Sequence, residues 1–210
     1  TGNPDWVTDM NHLKGVKVAK YGNSTLSCGF FYAVESCLVS ITAAYRDAVR
    51  GPVKNIYVTG HSLGGALAQV AYVDLVCGEL GRDLGFMRGD APSIFCYPIS
   101  APPICHGLES QHWLSLHANA SNIRHYYNPR DLVHASPLVD GSKTKGMSFG
   151  NWVAGGAHPL TDPLHLGSEV ALDCDEIFPN AHEPEFVWRG MNSGETQRSF
   201  WPTFKLDVIS

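Results

Sequence analysis

The chain has 210 residues, 44% hydrophobic and 17% charged, a balance that excludes intrinsic disorder and suffices to bury a core. Its formal net charge of −5 argues against a nucleic-acid partner. No apolar run is read as approaching the roughly 18 residues of a membrane-spanning helix. The expectation is one globular domain over residues 1–210, with no internal repeat, low-complexity tract or linker.

In chain order, Trp6, Val7, Met10 and Leu13 share one helical face, with Asp5, Asp9 and Asn11 off it. From Cys28 to Arg50, Phe30, Val34, Leu38, Ile41, Tyr45 and Val49 recur at three- and four-residue steps. They predict a long amphipathic helix, stopped by Gly51-Pro52. The β-rich stretch from Asn55 to Thr59 predicts a buried strand, and Ala66 to Cys77 a second helix. Further strands are expected at Ser93 to Tyr97, before the Pro-rich loop Ala101 to Cys105, and at Asn122 to Tyr127. Alternating strands and helices predict an α/β fold with a mostly parallel sheet and helices on both faces.

Between strand and helix lies Gly60-His61-Ser62-Leu63-Gly64, a G-x-S-x-G pattern in the context its chemistry requires. A sharp strand-to-helix turn lifts the Ser hydroxyl above the sheet edge, and the strained backbone asks for small neighbours, read here as Gly60 and Gly64. Ser62 then sits at a helix N-terminus, and the Leu63 N–H is placed to hold an oxyanion. The competing reading is a Gly-rich phosphate loop or plain turn.

A Ser nucleophile needs a base and the base an orienting acid, in the chain order Ser, Asp or Glu, His. Asp131 stands just after the strand ending at Tyr127, on the carboxyl-terminal edge where such sheets gather their chemistry. It could equally be an exposed turn residue after Asn128-Pro129. The ten histidines leave the base open among His117, His125, His134, His158, His165 and His182. Of the six cysteines (28, 37, 77, 96, 105 and 174), Cys37 and Cys77 are read as buried free thiols, and no CxxC spacing supports a zinc or redox motif. The acidic cluster Asp173, Asp175 and Glu176 is read as a solvated turn rather than a calcium site. No cofactor or metal is expected.

The segment Thr59-Gly-His-Ser-Leu-Gly-Gly-Ala-Leu-Ala68 resembles the nucleophile elbow of the class 3 lipases, fungal triacylglycerol lipase-like members of the α/β-hydrolases. Asp5-Trp-Val-Thr-Asp-Met10 is similar to the family's lid-region pattern, and Ser27-Cys-Gly-Phe-Phe31 to the stretch ahead of its long helix. Asn128-Pro-Arg-Asp-Leu-Val-His-Ala-Ser-Pro137 resembles the segment around the family's acid, with His-Ala-Ser-Pro replacing Pro-x-x-Pro. Leu164-His-Leu-Gly-Ser-Glu-Val170 is similar to a non-catalytic family strand, and Asn180-Ala-His-Glu-Pro-Glu-Phe-Val-Trp188 to the late loop carrying the catalytic His.

The resemblance implies Ser62 as nucleophile, Asp131 as orienting acid and His182 as base, with His165 structural. It also implies an oxyanion hole of Leu63 N–H and the Thr1 hydroxyl, and a lid carrying Trp6, Val7, Met10 and Leu13. An ordinary surface helix is the other reading of that stripe. The family's N-terminal strands are expected to be lacking, and upstream sequence is expected to be missing. The compartment stays open, with secretion or export favoured. The expected function is hydrolysis of lipid or other hydrophobic esters, at a lipid–water interface in the lid reading. The alternatives are a hydrolase-like module kept for binding or scaffolding, and an N-terminal nucleophile at Thr1.

Overall fold

The computed structural model describes residues 15–49, 51–86, 91–128, 131, 133–134 and 165–172. Thr1, the stripe from Trp6 to Leu13, His158, the acidic cluster at 173–176 and His182 lie outside the described residues. The chain enters through a hairpin that the residue pattern does not announce. Strands β1 (Gly15–Val18) and β2 (Ser24–Ser27) pair antiparallel around a 3-10 turn at Ala19–Tyr21.

Helix α1 (Cys28–Ala48) follows directly and ends when Val49 turns extended, ahead of Gly51 and Pro52. The anticipated stripe is buried only in its first half, at Phe30 and Val34, joined by Phe31 and Thr42; Ile41 is exposed. By length and composition this 21-residue helix reaches the apolarity of a membrane span, which corrects the reading that no run comes near it. Core helices of water-soluble domains pass the same test, and Phe30, Phe31 and Val34 belong to the main apolar cluster. Cys37 also departs from expectation: it is exposed, while Cys77 is half-buried and Cys96 and Cys105 are buried, all as free thiols.

Strand β3 (Asn55–His61), helix α2 (Leu63–Cys77), helix α3 (Glu79–Asp83), strand β4 (Ser93–Ile99), helix α4 (Leu108–His117), strand β5 (Arg124–Tyr127) and strand β6 (Ser168–Ala171) complete the described fold. The four strands β3-β4-β5-β6 form one parallel sheet in chain order. β3 and β4 pair over seven residues, Asn55↔Ser93 to His61↔Ile99, so their carboxyl ends finish level. Helix α2 is apolar almost all round and buries Ala66, Ala68, Val70, Tyr72, Val73 and Leu75, as expected of a helix clasped between sheet and neighbouring helices. α4 was missed because its apolar residues do not form one stripe: Leu114 is buried, whereas Leu108 and Leu116 are exposed.

The Asp74 carboxylate is fully inside this core. Asp74 on α2 accepts hydrogen bonds from Lys20 Nζ at 2.7 Å, Tyr21 OH at 2.5 Å and the Leu80 N–H at 2.9 Å, tying the hairpin and α3 to the central helix. Burial alone would raise its pKa, but the Lys20, Tyr21 and Leu80 donors together hold it below the usual carboxylate range. Glu35, the second partner of Lys20, is partly open to water. Removing Asp74 takes the acceptor from the buried Tyr21 hydroxyl and the Leu80 N–H and leaves Lys20 only the partly solvated Glu35, so Asp74→Ala should cost about 3 kcal/mol or more. Glu35→Ala should cost about 1 kcal/mol or less. Denaturant unfolding of the two variants measures the difference; equal losses would refute the network as described.

Candidate active site

The turn between β3 and α2 carries the strained residue of the site. Ser62 has φ 55° and ψ −126°, a left-handed backbone that a non-glycine residue holds only when its surroundings impose it. Two contacts impose it. The Ser62 N–H donates to the Ile99 carbonyl at 2.9 Å, fastening the turn to the end of β4. The backbone of Gly60 lies against that of Gly64, so closely that a Cβ on Gly60 would overlap the Gly64 carbonyl. A Cβ on Gly65 would sit 2.6 Å from Ala101 Cβ and 2.7 Å from the Gly60 carbonyl oxygen.

A Cβ added to Gly64 would meet nothing within 4 Å, so the expectation that this position must lack bulk is corrected. The steric pair is Gly60 with Gly65, because α2 starts by packing its first turn on β3 and on the loop after β4. Leu63 opens α2 and is 40% exposed. Its N–H belongs to the first turn of a helix, where N–H groups lack partners from within the helix.

Asp131 lies beyond the end of β5, on the same carboxyl-terminal edge as Ser62, with β4 between them. Contrary to the exposed-turn alternative, it is buried at 1% exposure. Its N–H donates to the Asn128 carbonyl and its Oδ1 accepts the Val133 N–H, both at 2.9 Å. The carboxylate is thus built into a tight double turn.

Three histidines pack beside this turn: His125 on β5, His134 just after Asp131, and His165 before β6. Sequence reasoning placed His165 in a structural role near Glu169, and it lies 3.8 Å from that carboxylate. It did not find that His134 is sandwiched between Tyr127 (3.9 Å, 17°) and His165 (4.1 Å, 7°), with His125 edge-on to His165. The signal was the departure His-Ala-Ser-Pro, which puts an imidazole at the third position after Asp131. The His125 Nε2–H donates to the Leu166 carbonyl at 2.9 Å and the His165 Nε2–H to the His134 carbonyl at 3.1 Å. Both Nδ1 atoms therefore carry bare lone pairs, buried and without a hydrogen-bond partner among the described residues.

These three rings bring ligand nitrogens within 4.8 Å of one another, close enough for a metal ion to be considered. The stacking opposes it. His134 and His165 lie in nearly parallel planes, and in-plane lone pairs on parallel rings do not meet at one ion. As arranged, the cluster packs the Asp131 turn onto the sheet. Burial pushes His165 down to about 4 and His134 to about 3, and holds His125 well below its ordinary value.

The family described as Lipase (class 3) matches residues 1–141. The chain belongs to the class 3 lipase family. Its strand order and elbow are those of the α/β-hydrolase fold. Solved structures similar to it include lipase II from Rhizopus niveus, 18% identical over 59% of this chain and 43% of that one (TM-score 0.48). The Rhizomucor miehei triacylglyceride lipase is 19% identical over 63% of this chain and 46% of its own (TM-score 0.47). A lipase from Rhizopus microsporus var. chinensis is 20% identical over 63% and 43% (TM-score 0.48). The class 3 lipase chain thus spans less than half the length of these structures. No curated protein matches it.

Two outcomes follow from the geometry. Gly60→Ala and Gly65→Ala should each destabilise by about 3 kcal/mol or displace the elbow, whereas Gly64→Ala, in a helix with open space, should be neutral or stabilising by up to about 1 kcal/mol. Thermal unfolding of the three variants reads this directly, and equal losses would undo the assignment of the steric pair. Second, His165 is neutral when folded and takes a proton near 6.5 when unfolded, so its contribution is intact above that pH and is lost as pH falls toward 4. At pH 5 the loss should be about 2 kcal/mol, and His165→Gln should flatten the pH dependence of the denaturation midpoint. An unchanged slope in that variant would count against the buried neutral ring.

Proposed function

We propose that this chain hydrolyses carboxylic esters of lipids or other hydrophobic molecules through Ser62, within a single α/β-hydrolase domain. The observation that carries the reading is the left-handed backbone of Ser62 at a strand-to-helix turn, held by the Gly60–Gly64 contact and the bond to Ile99. Such strain persists where a side chain must be presented to a reacting group.

In this reading the Ser62 Oγ attacks the ester carbonyl while His182 takes its proton, and the carbonyl oxygen becomes an oxyanion held by the Leu63 N–H and the Thr1 hydroxyl. His182 then returns the proton to the leaving alkoxide, freeing the alcohol and leaving an acyl group on Ser62. Water, deprotonated by the same imidazole, attacks the acyl carbonyl and releases the acid. Asp131 orients the imidazole and stabilises its charged form. Support for Asp131 comes from its burial in a double turn on the nucleophile's edge of the sheet. Support for His182 comes from the commitment of His125, His134 and His165 to other partners. The stripe Trp6, Val7, Met10 and Leu13 would serve as a lid whose apolar face covers the pocket and meets a lipid surface when open.

The test is labelling by a fluorophosphonate probe together with turnover of a short p-nitrophenyl ester. The chain should label, and Ser62→Ala should abolish both labelling and at least about 10³-fold of the turnover while keeping its circular dichroism spectrum. His182→Ala should lose nearly as much, because nucleophile and base act as a unit. A folded chain that neither labels nor turns over would favour a binding module. Labelling that survives Ser62→Ala but not Thr1→Ala would move the nucleophile to the N-terminus.

A further inference from the structure

The proposed nucleophile and acid stand on different strand ends, and a ring outside the proposed triad joins them. His134 follows Asp131 by three residues, and its imidazole reaches back across the sheet edge. Its Nδ1 lies 3.2 Å from the Ala101 carbonyl and its Nε2 3.1 Å from Glu169 Oε1. The ring is 4% exposed and fixed on both faces by Tyr127 and His165, and its own carbonyl accepts the His165 Nε2–H. Ala101 belongs to the loop that holds the elbow. Two residues before it, the Ile99 carbonyl accepts the Ser62 N–H; Ala101 Cβ abuts Gly65; and the next carbonyl, of Pro102, accepts from Gln69 on α2. A continuous set of contacts therefore runs from Ser62 through Ile99 and Ala101 to His134, and through the Val133 N–H to the Asp131 carboxylate.

We propose that His134 is a positioning residue: its imidazole is a strut that sets the Asp131 turn against the loop holding the Ser62 elbow. The proposal rests on the roles assigned above to Ser62 and Asp131. Ala101 and Glu169 both offer acceptor oxygens and a neutral imidazole has one N–H, so the ring can donate to only one of them. The strut is the tautomer with that N–H on Nδ1, donating to Ala101, in which the approach of Nε2 to the partly solvated Glu169 contributes no hydrogen bond. The two components of the contact, ring stacking and donation to Ala101, can be separated by substitution. His134→Asn places an amide N–H where Nδ1 stood and gives up the stack. His134→Phe keeps a ring between Tyr127 and His165 and gives up the donor.

The experiment measures kcat and KM for a short soluble ester, with thermal midpoints, in the full chain. His134→Ala should lower kcat about 10- to 100-fold with KM within about twofold, as expected when a group is misplaced by an ångström or less. His134→Asn should recover most of kcat at a reduced thermal midpoint, and His134→Phe should do the reverse. In an Asp131→Asn background, His134→Ala should cost nothing further, because its effect passes through the carboxylate. Should His134→Ala fail to fold, the Asn and Phe variants carry the test. The proposal is overturned by kcat that tracks the thermal midpoint across the series, by undiminished kcat in folded His134→Ala, or by the same fold-loss persisting without Asp131. Undiminished kcat in Asp131→Asn alone would instead remove the assigned acid, and the strut with it.

Discussion

Everything at the carboxyl edge of this sheet depends on one backbone contact, the approach of Gly60 to Gly64. Strand β3 must become helix α2 within one residue, and it does so by placing Ser62 in a left-handed conformation that costs on the order of 1–3 kcal/mol. That cost is offset by burial, since α2 immediately packs Ala66, Ala68 and Val70 into the core. The bond from Ser62 to Ile99 then makes the adjacent strand a second support. A turn held from both sides cannot relax without moving α2, so the hydroxyl is presented by the whole α/β layer rather than by a loop.

The level ends of the parallel strands extend this logic across the sheet. β3 and β4 finish in register, and the chain leaving β4 turns at Ser100, itself left-handed at φ 47° and bonded through its N–H to Tyr126 on β5. The β4 and β5 strands meet at Ile99↔Tyr126 and at the Cys96↔Ile123 bridge. Their relative placement therefore leans on the loop 99–102 and on what docks there. Loop atoms, in this fold, take over a role that a longer strand ladder would otherwise fill.

Much of this was legible in the residues. Short β-rich runs located β3, β4 and β5, and the apolar run from Ala66 to Cys77 located α2, although β3 departs from the buried strand expected of it: none of its residues is buried and Tyr57 is exposed. G-x-S-x-G located the elbow because sterics leave few alternatives. What escaped had a physical reason. The β1–β2 hairpin has only four residues per strand, so the alternation Val16-Lys17-Val18 is too short to stand out in the residues even though Val18 and Leu26 are buried in the core. Cys37 sat near an apolar stripe, but that stripe outruns the core it packs on. Gly64 looked equivalent to Gly60 in the motif, and only the three-dimensional contact shows that Gly65 is its steric partner.

The histidines show how burial divides labour among chemically identical groups. A general base works best with a pKa near the operating pH, because it must accept a proton readily and hold it only briefly. Burial holds the imidazoles of His134 and His165 at about 3 and about 4, where they remain neutral throughout the physiological range and make poor proton acceptors. Glu169 stands 3.1 Å from His134 and would favour a charged ring, but the carboxylate is 39% exposed and its field is weakened by water. Neutral rings can stack face to face at 4.1 Å without repulsion, which two imidazolium ions could not do. The feature that unfits these histidines for proton transfer is thus what lets them pack the Asp131 turn.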